Sequence, residues 1–211
     1  AARECFNGAY GPSYLEIPRD ILDAEIPIER ACIPTPGRYR SSTKSIGDPN
    51  DIERLADILI NAERPAVLFG QQVWASGSHG AAIDFIRSLD VPAYMNGASR
   101  GMLPEGDPHH FDRTRSDAFK DADVILIVGT PFDFRMGYGK RISDAATLVQ
   151  IDQSYATVGK NRDISLGIAG DPGAILKAVE QAASGRISQG LKKKRQEWMS
   201  KLRGIEETKL E

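Results

Sequence analysis

The stretch 124-VILIVGTPFDFRMGYGKRISDAATLVQID-152 decides how this chain folds. Val124 to Val128 is an unbroken run of branched aliphatic residues, the pattern of a strand covered on both faces. It runs straight into Gly129. A second apolar run, Thr147 to Ile151, stops on Asp152. The carboxyl edge of a parallel α/β sheet is where such folds take ligands. A glycine at one strand end lets a ligand approach the backbone, and a carboxylate at the next accepts hydrogen bonds from ribose hydroxyls.

Outward from this stretch the same alternation repeats. Ala66-Val67-Leu68-Phe69 runs into Gly70, Val91 to Met95 reads as a short strand, and Ile164 to Ile168 is a weaker repeat before Gly170-Asp171-Pro172. Between the strands lie helical patterns. Asp48 stands as a cap and Pro49 takes the first helical position, where its missing N–H costs nothing. Ile52, Leu55, Ala56 and Leu59 follow at helical spacing. Ala82, Phe85, Ile86 and Leu89 stripe a helix over 78–89, a short helix fits 114–121, and Pro172 opens another carrying Ile175, Leu176 and Val179. Strands alternating with helices require right-handed crossovers and a sheet covered on both sides. The expected architecture is a three-layer α/β/α Rossmann-like domain over 48–185, with a mostly parallel sheet of five or six strands. Before it, Ser13 to Ile17 alternates like a strand within residues 1–18. Residues 19–47, with Pro27, Pro34, Pro36 and Gly37, read as a linker. Residues 186–211 read as a charged helix with a thin apolar stripe of Trp198, Met199 and Leu202. Its run Lys192-Lys193-Lys194-Arg195 has the pattern of a solvated face.

The totals exclude several classes. With 27 basic and 29 acidic residues among 211, no field favours nucleic acid or an anionic membrane. No apolar run approaches the roughly 20 residues that span a bilayer, and the start AARECFNGAY has no secretory pattern. Cys5 and Cys32 have neither metal-ligand nor catalytic spacing, so both read as free thiols of a cytoplasmic protein. A start on Ala, in what reads as the middle of an element, leads us to expect a piece of a longer chain.

Strand ends bring Gly70, Gln71, Gln72, Asn96-Gly97, Gly129 and Asp152 to one edge, with Gly170-Asp171 beside a helix start. Gly70 to Ala75 supplies no G-x-G-x-x-G, so a dehydrogenase site is not expected. Gly77-Ser78-His79-Gly80 either presents N–H groups to a phosphate or shapes a capped turn. His109-His110 lies beside Asp107 and Asp112 but lacks a third ligand at suitable spacing, and no metal is expected there.

Gly129-Thr130-Pro131-Phe132-Asp133-Phe134-Arg135, together with GPSYLEIPRDIL at 11–22, resembles the central domain of thiamine diphosphate-dependent enzymes, in the acetolactate synthase and 2-hydroxyacyl-CoA lyase branch. That resemblance implies several things. Residues 1–18 would be the tail of a preceding pyrimidine-binding domain, and 186–211 a connector to a cofactor domain outside this chain. The whole enzyme, a homo-oligomer, would make or break a C–C bond next to a carbonyl in a 2-keto acid or a 2-hydroxyacyl-CoA. Thiamine diphosphate and Mg²⁺ would be held by the other domains. The cleft here would hold ADP or FAD, with Asp152 on the ribose, Asp171 on the adenine side, His109 and His110 on a nucleotide-facing loop, and Arg135 aimed at a neighbouring domain. Arg115-Ser116 resembles a recurrent pair at a helix start. Pro131 stands where relatives carry a nucleotide-contacting Arg, so binding should be weak, and ADP is favoured over FAD. The family holds its Mg²⁺–diphosphate with Gly-Asp-Gly, whereas Gly47-Asp48, Gly106-Asp107 and Gly170-Asp171 are each followed by Pro. No catalytic residue is expected, and the chain alone should be inactive. A second reading is a free-standing flavin- or ADP-binding module, or a purely structural spacer.

Overall fold

A computed structural model describes residues 1–209 and divides the chain into two compact units, Ala1–Thr43 and the chain from Lys44 onward. The last two positions of the expected connector, 210 and 211, lie outside the described residues.

The first unit is thin. It holds a 3-10 turn at Glu4–Phe6, the short helix α1 at Arg19–Leu22 and a second 3-10 turn at Ile28–Arg30, none with a buried residue. Local ties hold it: Arg3 Nε donates to the Tyr39 carbonyl at 2.9 Å, and the Arg40 guanidinium sits over the Phe6 ring. The strand expected at Ser13–Ile17 is not one; those residues carry no regular structure. An isolated strand has nothing to pair its N–H and C=O groups with, and alternation alone cannot supply a ladder.

The second unit is the expected three-layer α/β/α sandwich, with a sheet of five strands, all parallel. These are β1 (Pro65–Phe69), β2 (Ala93–Met95), β3 (Val124–Val128), β4 (Thr147–Asp152) and β5 (Leu166–Ala169), in the order β2-β1-β3-β4-β5. β2 is shorter than its apolar run because Pro92 has no N–H to give; only its carbonyl joins the ladder, accepting from Val67. Alternate residues serve the two faces. Val67, Phe69, Leu126, Val128, Val149 and Ile151 pack under α2 (Pro49–Asn61), α4 (His79–Leu89) and α6 (Pro172–Ala183). Ala66, Leu68, Ile125, Ile127 and Leu148 pack under α5 (Arg115–Asp121) and α7 (Gln189–Thr208). A five-residue helix, α3 (Gln71–Ala75), follows β1 directly. The caps read from sequence are present: Asp48 accepts from the Asn50 N–H at 2.8 Å ahead of Pro49, and Asp171 from the Ala174 N–H at 2.9 Å ahead of Pro172.

The edges of this unit differ from the sequence reading. Residues ahead of α2 already belong to it: the Ser45 carbonyl accepts from the Asp171 N–H, and Lys44 Nζ lies 3.1 Å from Asp171. At the other end the compact unit does not stop at 185. In α7, Trp198 and Leu202 are buried against the sheet, which is worth about 1.5–3 kcal/mol for each large side chain covered. Trp198 Nε1 donates to the Pro65 carbonyl at 2.9 Å. Arg195, within the run expected to face solvent, is fully buried. Its guanidinium donates to the carbonyls of Leu59, Ala62 (3.1 Å) and Leu89. Those carbonyls end α2 and α4, where helix dipoles leave partial negative charge and unpaired acceptors. Burial pulls the Arg195 pKa down to about 10, opposed by Asp90 and Asp123, so the side chain stays charged at neutral pH.

Candidate functional site at the carboxyl edge

The chain leaves β1 toward β2 on one side and β3 toward β4 on the other, so the crossovers reverse between β1 and β3. Ligands of open α/β sheets enter at such a point. Gly70 and Gly129 end these two strands. In the direction a side chain would take, the space beside each is filled by protein. A Cβ on Gly70 would lie 2.4 Å from the Gly129 carbonyl oxygen and from Thr130 Cβ. One on Gly129, whose φ is +67°, would lie 2.7 Å from Gln72 Cβ. Glycine is required here so that the two strand ends and α3 can close on one another. The Gly129 carbonyl then accepts from the Gln72 N–H at 3.2 Å.

Gln72 and Asp152 form the polar centre of this edge. Gln72 Nε2 donates to Asp152 Oδ1 at 3.0 Å, while Gln72 Oε1 accepts from the Gln153 N–H at 3.0 Å. The Ser154 N–H also donates to Asp152 Oδ1, at 2.8 Å. Asp152 is fully buried and its Oδ2 has no hydrogen-bond partner. Burial raises its pKa, and the bonds from Gln72 and Ser154 only partly offset this. A buried acceptor without a donor is unusual enough to mark a place where a hydroxyl would be welcome. Gln150, one turn of the pleat earlier, is also fully buried: it accepts from the Gly159 N–H and reaches the Thr130 carbonyl, fixing the loops after β3 and β4.

The remaining candidates lie apart from that centre. Gln71 is exposed in the first turn of α3. Asp171 is occupied as the cap of α6 and by Lys44. Ser78 accepts from the Gly173 N–H at 2.9 Å, so the Gly77–Gly80 turn is packed against the start of α6. His109 and His110 are not at the carboxyl edge. They bridge to Ala93, the first residue of β2, and the His109 ring lies between Asp90 (3.0 Å) and Asp107 (3.3 Å). Asp107 also meets Arg87 at 3.1 Å, so this group ties a loop to the end of α4. Arg135 folds back onto Asp133 at 2.5 Å; that pairing lowers the Asp133 pKa and raises the Arg135 pKa.

One further feature escaped the sequence reading. A cleft of about 600 Å³ opens beside the ends of β2 and β3, with Tyr94, Phe134 and Met136 among its walls. Arg100, Arg115 and Arg141 line it, from three separate loops or helix starts. Burial, then the charges of Arg100 and Arg141, lower the Arg115 pKa. Among the described residues, groups of three or more acidic, His or Cys side chains able to hold a metal are absent. The three Gly-Asp-Pro carboxylates are spent elsewhere: Asp48 and Asp171 cap helices, and Asp107 pairs with Arg87 and His109. They do not fit a Mg²⁺–diphosphate site.

The model of the thiamine pyrophosphate enzyme central domain matches residues 52–179, from the first turn of α2 through most of α6. The chain belongs to that family. An acetolactate synthase large subunit of Mycobacterium tuberculosis is 34% identical over 128 residues, covering 61% of this chain and 23% of that protein. The 2-hydroxyacyl-CoA lyase 2 of Homo sapiens is 32% identical over 138 residues, covering 63% and 22%. This central domain thus spans less than a quarter of the length of these relatives. A benzoylformate decarboxylase structure from Polynucleobacter necessarius superposes with a TM-score of 0.57 at 19% identity, over 72% of this chain and 30% of that one, a likeness of fold. The family match ends at Val179, so the docked helix α7 lies beyond it. Among the described residues no helix is long and apolar enough to cross a membrane.

Proposed function

We propose that the chain is the central domain of a thiamine diphosphate-dependent enzyme that makes or breaks a C–C bond next to a carbonyl, with a 2-keto acid or a 2-hydroxyacyl-CoA as substrate. The observation carrying this reading is the family match across the whole of the sheet, joined to relatives with those two activities. Thiamine diphosphate would supply the carbanion chemistry from other domains, with Mg²⁺ on its diphosphate. The residues of this chain would position those domains and hold a nucleotide. A homo-oligomeric, cytoplasmic enzyme is the accompanying expectation; the free thiols Cys5 and Cys32 suit a reducing compartment.

For the nucleotide, the unbonded Asp152 Oδ2 favours a ribose hydroxyl donor at the carboxyl edge. Gln72, half-buried, is bonded to the other oxygen of Asp152, Oδ1, and holds the carboxylate in place. Pro131 in place of an Arg costs one charge-assisted contact of ~1.5–3 kcal/mol, which is roughly tenfold to hundredfold in affinity. ADP or the adenosine end of a coenzyme is therefore proposed over tightly held FAD. Two measurements test this reading. Calorimetry of the purified chain with thiamine diphosphate and Mg²⁺ should detect no binding, whereas an enzyme carrying this domain should turn over pyruvate or a 2-hydroxyacyl-CoA. Thermal shift should rank ADP and CoA above FAD; protein that purifies yellow with stoichiometric flavin would overturn the nucleotide part.

A further inference from the structure

We propose that the cleft lined by Arg100, Arg115 and Arg141 binds the diphosphate group of a phosphorylated small molecule. The three guanidinium groups come together from the turn after β2, the start of α5 and the loop after β3. Among the described residues none of the three side chains has a hydrogen bond or a salt bridge, although the protein pairs most of its other arginines, such as Arg87, Arg135, Arg162, Arg186 and Arg203. Asp112, the carboxylate among the lining residues, lies 3.3 Å from His110, and Asp133 holds Arg135.

Three like charges gathered in a partly enclosed cleft repel one another, and the lowered pKa of the half-buried Arg115 follows from its burial first and then from the charges of Arg100 and Arg141. An anion bound among them would compensate this repulsion. The charge and donor count select the anion. A carboxylate brings one charge and two oxygens, too few for three guanidinium forks. A diphosphate brings about three charges and enough oxygens to accept from all of them, and guanidinium matches phosphoryl geometry bidentately. The other walls indicate what the diphosphate is attached to. Phe134 is 74% exposed at the cleft, beside Met136. An exposed aromatic face next to a thioether suits a planar or apolar group esterified to the phosphate. The site contains neither Gln72 nor Asp152, so it goes beyond the ribose contact proposed above and does not depend on it.

The test uses inorganic pyrophosphate as the probe, at low ionic strength, followed by thermal shift and calorimetry. Pyrophosphate should raise the melting temperature in a salt-sensitive way, and more than phosphate or citrate at equal concentration. Arg100→Gln and Arg141→Gln lie at exposed positions and should fold normally. Each should melt at or above the unsubstituted protein without ligand, because one repulsion is removed, and should bind pyrophosphate about tenfold more weakly or worse. Asp152→Asn should leave pyrophosphate binding unchanged, which separates this site from the ribose contact. The proposal fails if pyrophosphate gives no shift, if the shift survives in the Arg100→Gln/Arg141→Gln double variant, or if citrate does equally well. It fails equally if poly-aspartate stabilises the protein as strongly, which would assign the cluster to an acidic protein segment.

Discussion

Asp152 couples a sequence pattern to a measurable stability term. Its carboxyl is sealed in the sheet edge with one oxygen unbonded, and burial raises its pKa. The folded chain therefore keeps the proton to higher pH than the unfolded chain does. By linkage, stability falls as pH rises from the unfolded value near ~3.9 through the raised folded value, and the ionised group is a net cost at neutral pH. Asp152→Asn keeps an acceptor for Gln72 and Ser154 and removes the charge. We expect its melting temperature at pH 7 to rise by ~2–4 °C, about 1 kcal/mol for a domain of this size, with the advantage fading toward pH 4. A melt unchanged across that range would mean that the carboxyl is not paying for its burial. The position of this residue was legible from the strand stopping on Asp; its isolation was not. That depends on Gln72, eighty positions away, and linear spacing carries no trace of the pair.

Helix α7 shows where reading by composition breaks down. Lys192 to Arg195 looks like a solvated run, yet Arg195, Trp198 and Leu202 fall at i, i+3 and i+7, one face of a helix, and all three are buried. The apolar part of that stripe is visible in the sequence. What is not visible is that an arginine belongs to it, because its partners are backbone carbonyls at the ends of two other helices, and any residue type contributes those. Removing the side chain takes the donor from the Ala62 and Leu89 carbonyls, while the Leu59 carbonyl keeps the Ala62 N–H. Arg195→Met should destabilise the domain by ~2–6 kcal/mol, ~1–3 for each of the two carbonyls left without a donor. Arg195→Lys keeps the charge but not the fork, and should cost ~1–3 kcal/mol. Urea denaturation with an unchanged m-value would measure both. If Arg195→Met were as stable as the parent, the helix would not be docked as described.

Across the whole chain, the two units differ in how much apolar surface they hide. In Ala1–Thr43, Tyr14 is 85% exposed and Ile33 83%, with Leu15, Ile21, Leu22, Ile26 and Ile28 also open, whereas the sheet of the second unit is buried on both faces. Few buried contacts mean easy local opening, so trypsin should cut first at Arg19, Arg30, Arg38 or Arg40. The sequence reading would trim both ends to about 48–185; the structure instead implies a resistant product that begins near Lys44 and keeps α7. Mass spectrometry of the limit digest decides between them, and early cutting at Lys192–Lys194 would support the shorter core. The sheet itself was readable because its strands are fully covered: continuous apolar runs ending on Gly or Asp leave little alternative. The carboxyl-edge cleft was readable only as a location. Arg100, Arg115 and Arg141 meet through loops whose paths no periodicity encodes, and the two histidines went to the other edge because β2 pairs with the chain that follows Pro108.

The clasp made by Arg195 also orders events in time. It joins the ends of α2 and α4 to a helix made after the rest of the sheet domain, and the start of β1 waits for Trp198 in the same way. At ~5–20 residues per second, the roughly 20 residues between the end of α6 and Leu202 take on the order of 1–4 s to be made. For that interval a nascent chain carrying the complete sheet has one face covered by α5 and the neighbouring loops but lacking Trp198 and Leu202 of α7. This is the window in which a holdase chaperone would find its target, and it closes when α7 docks.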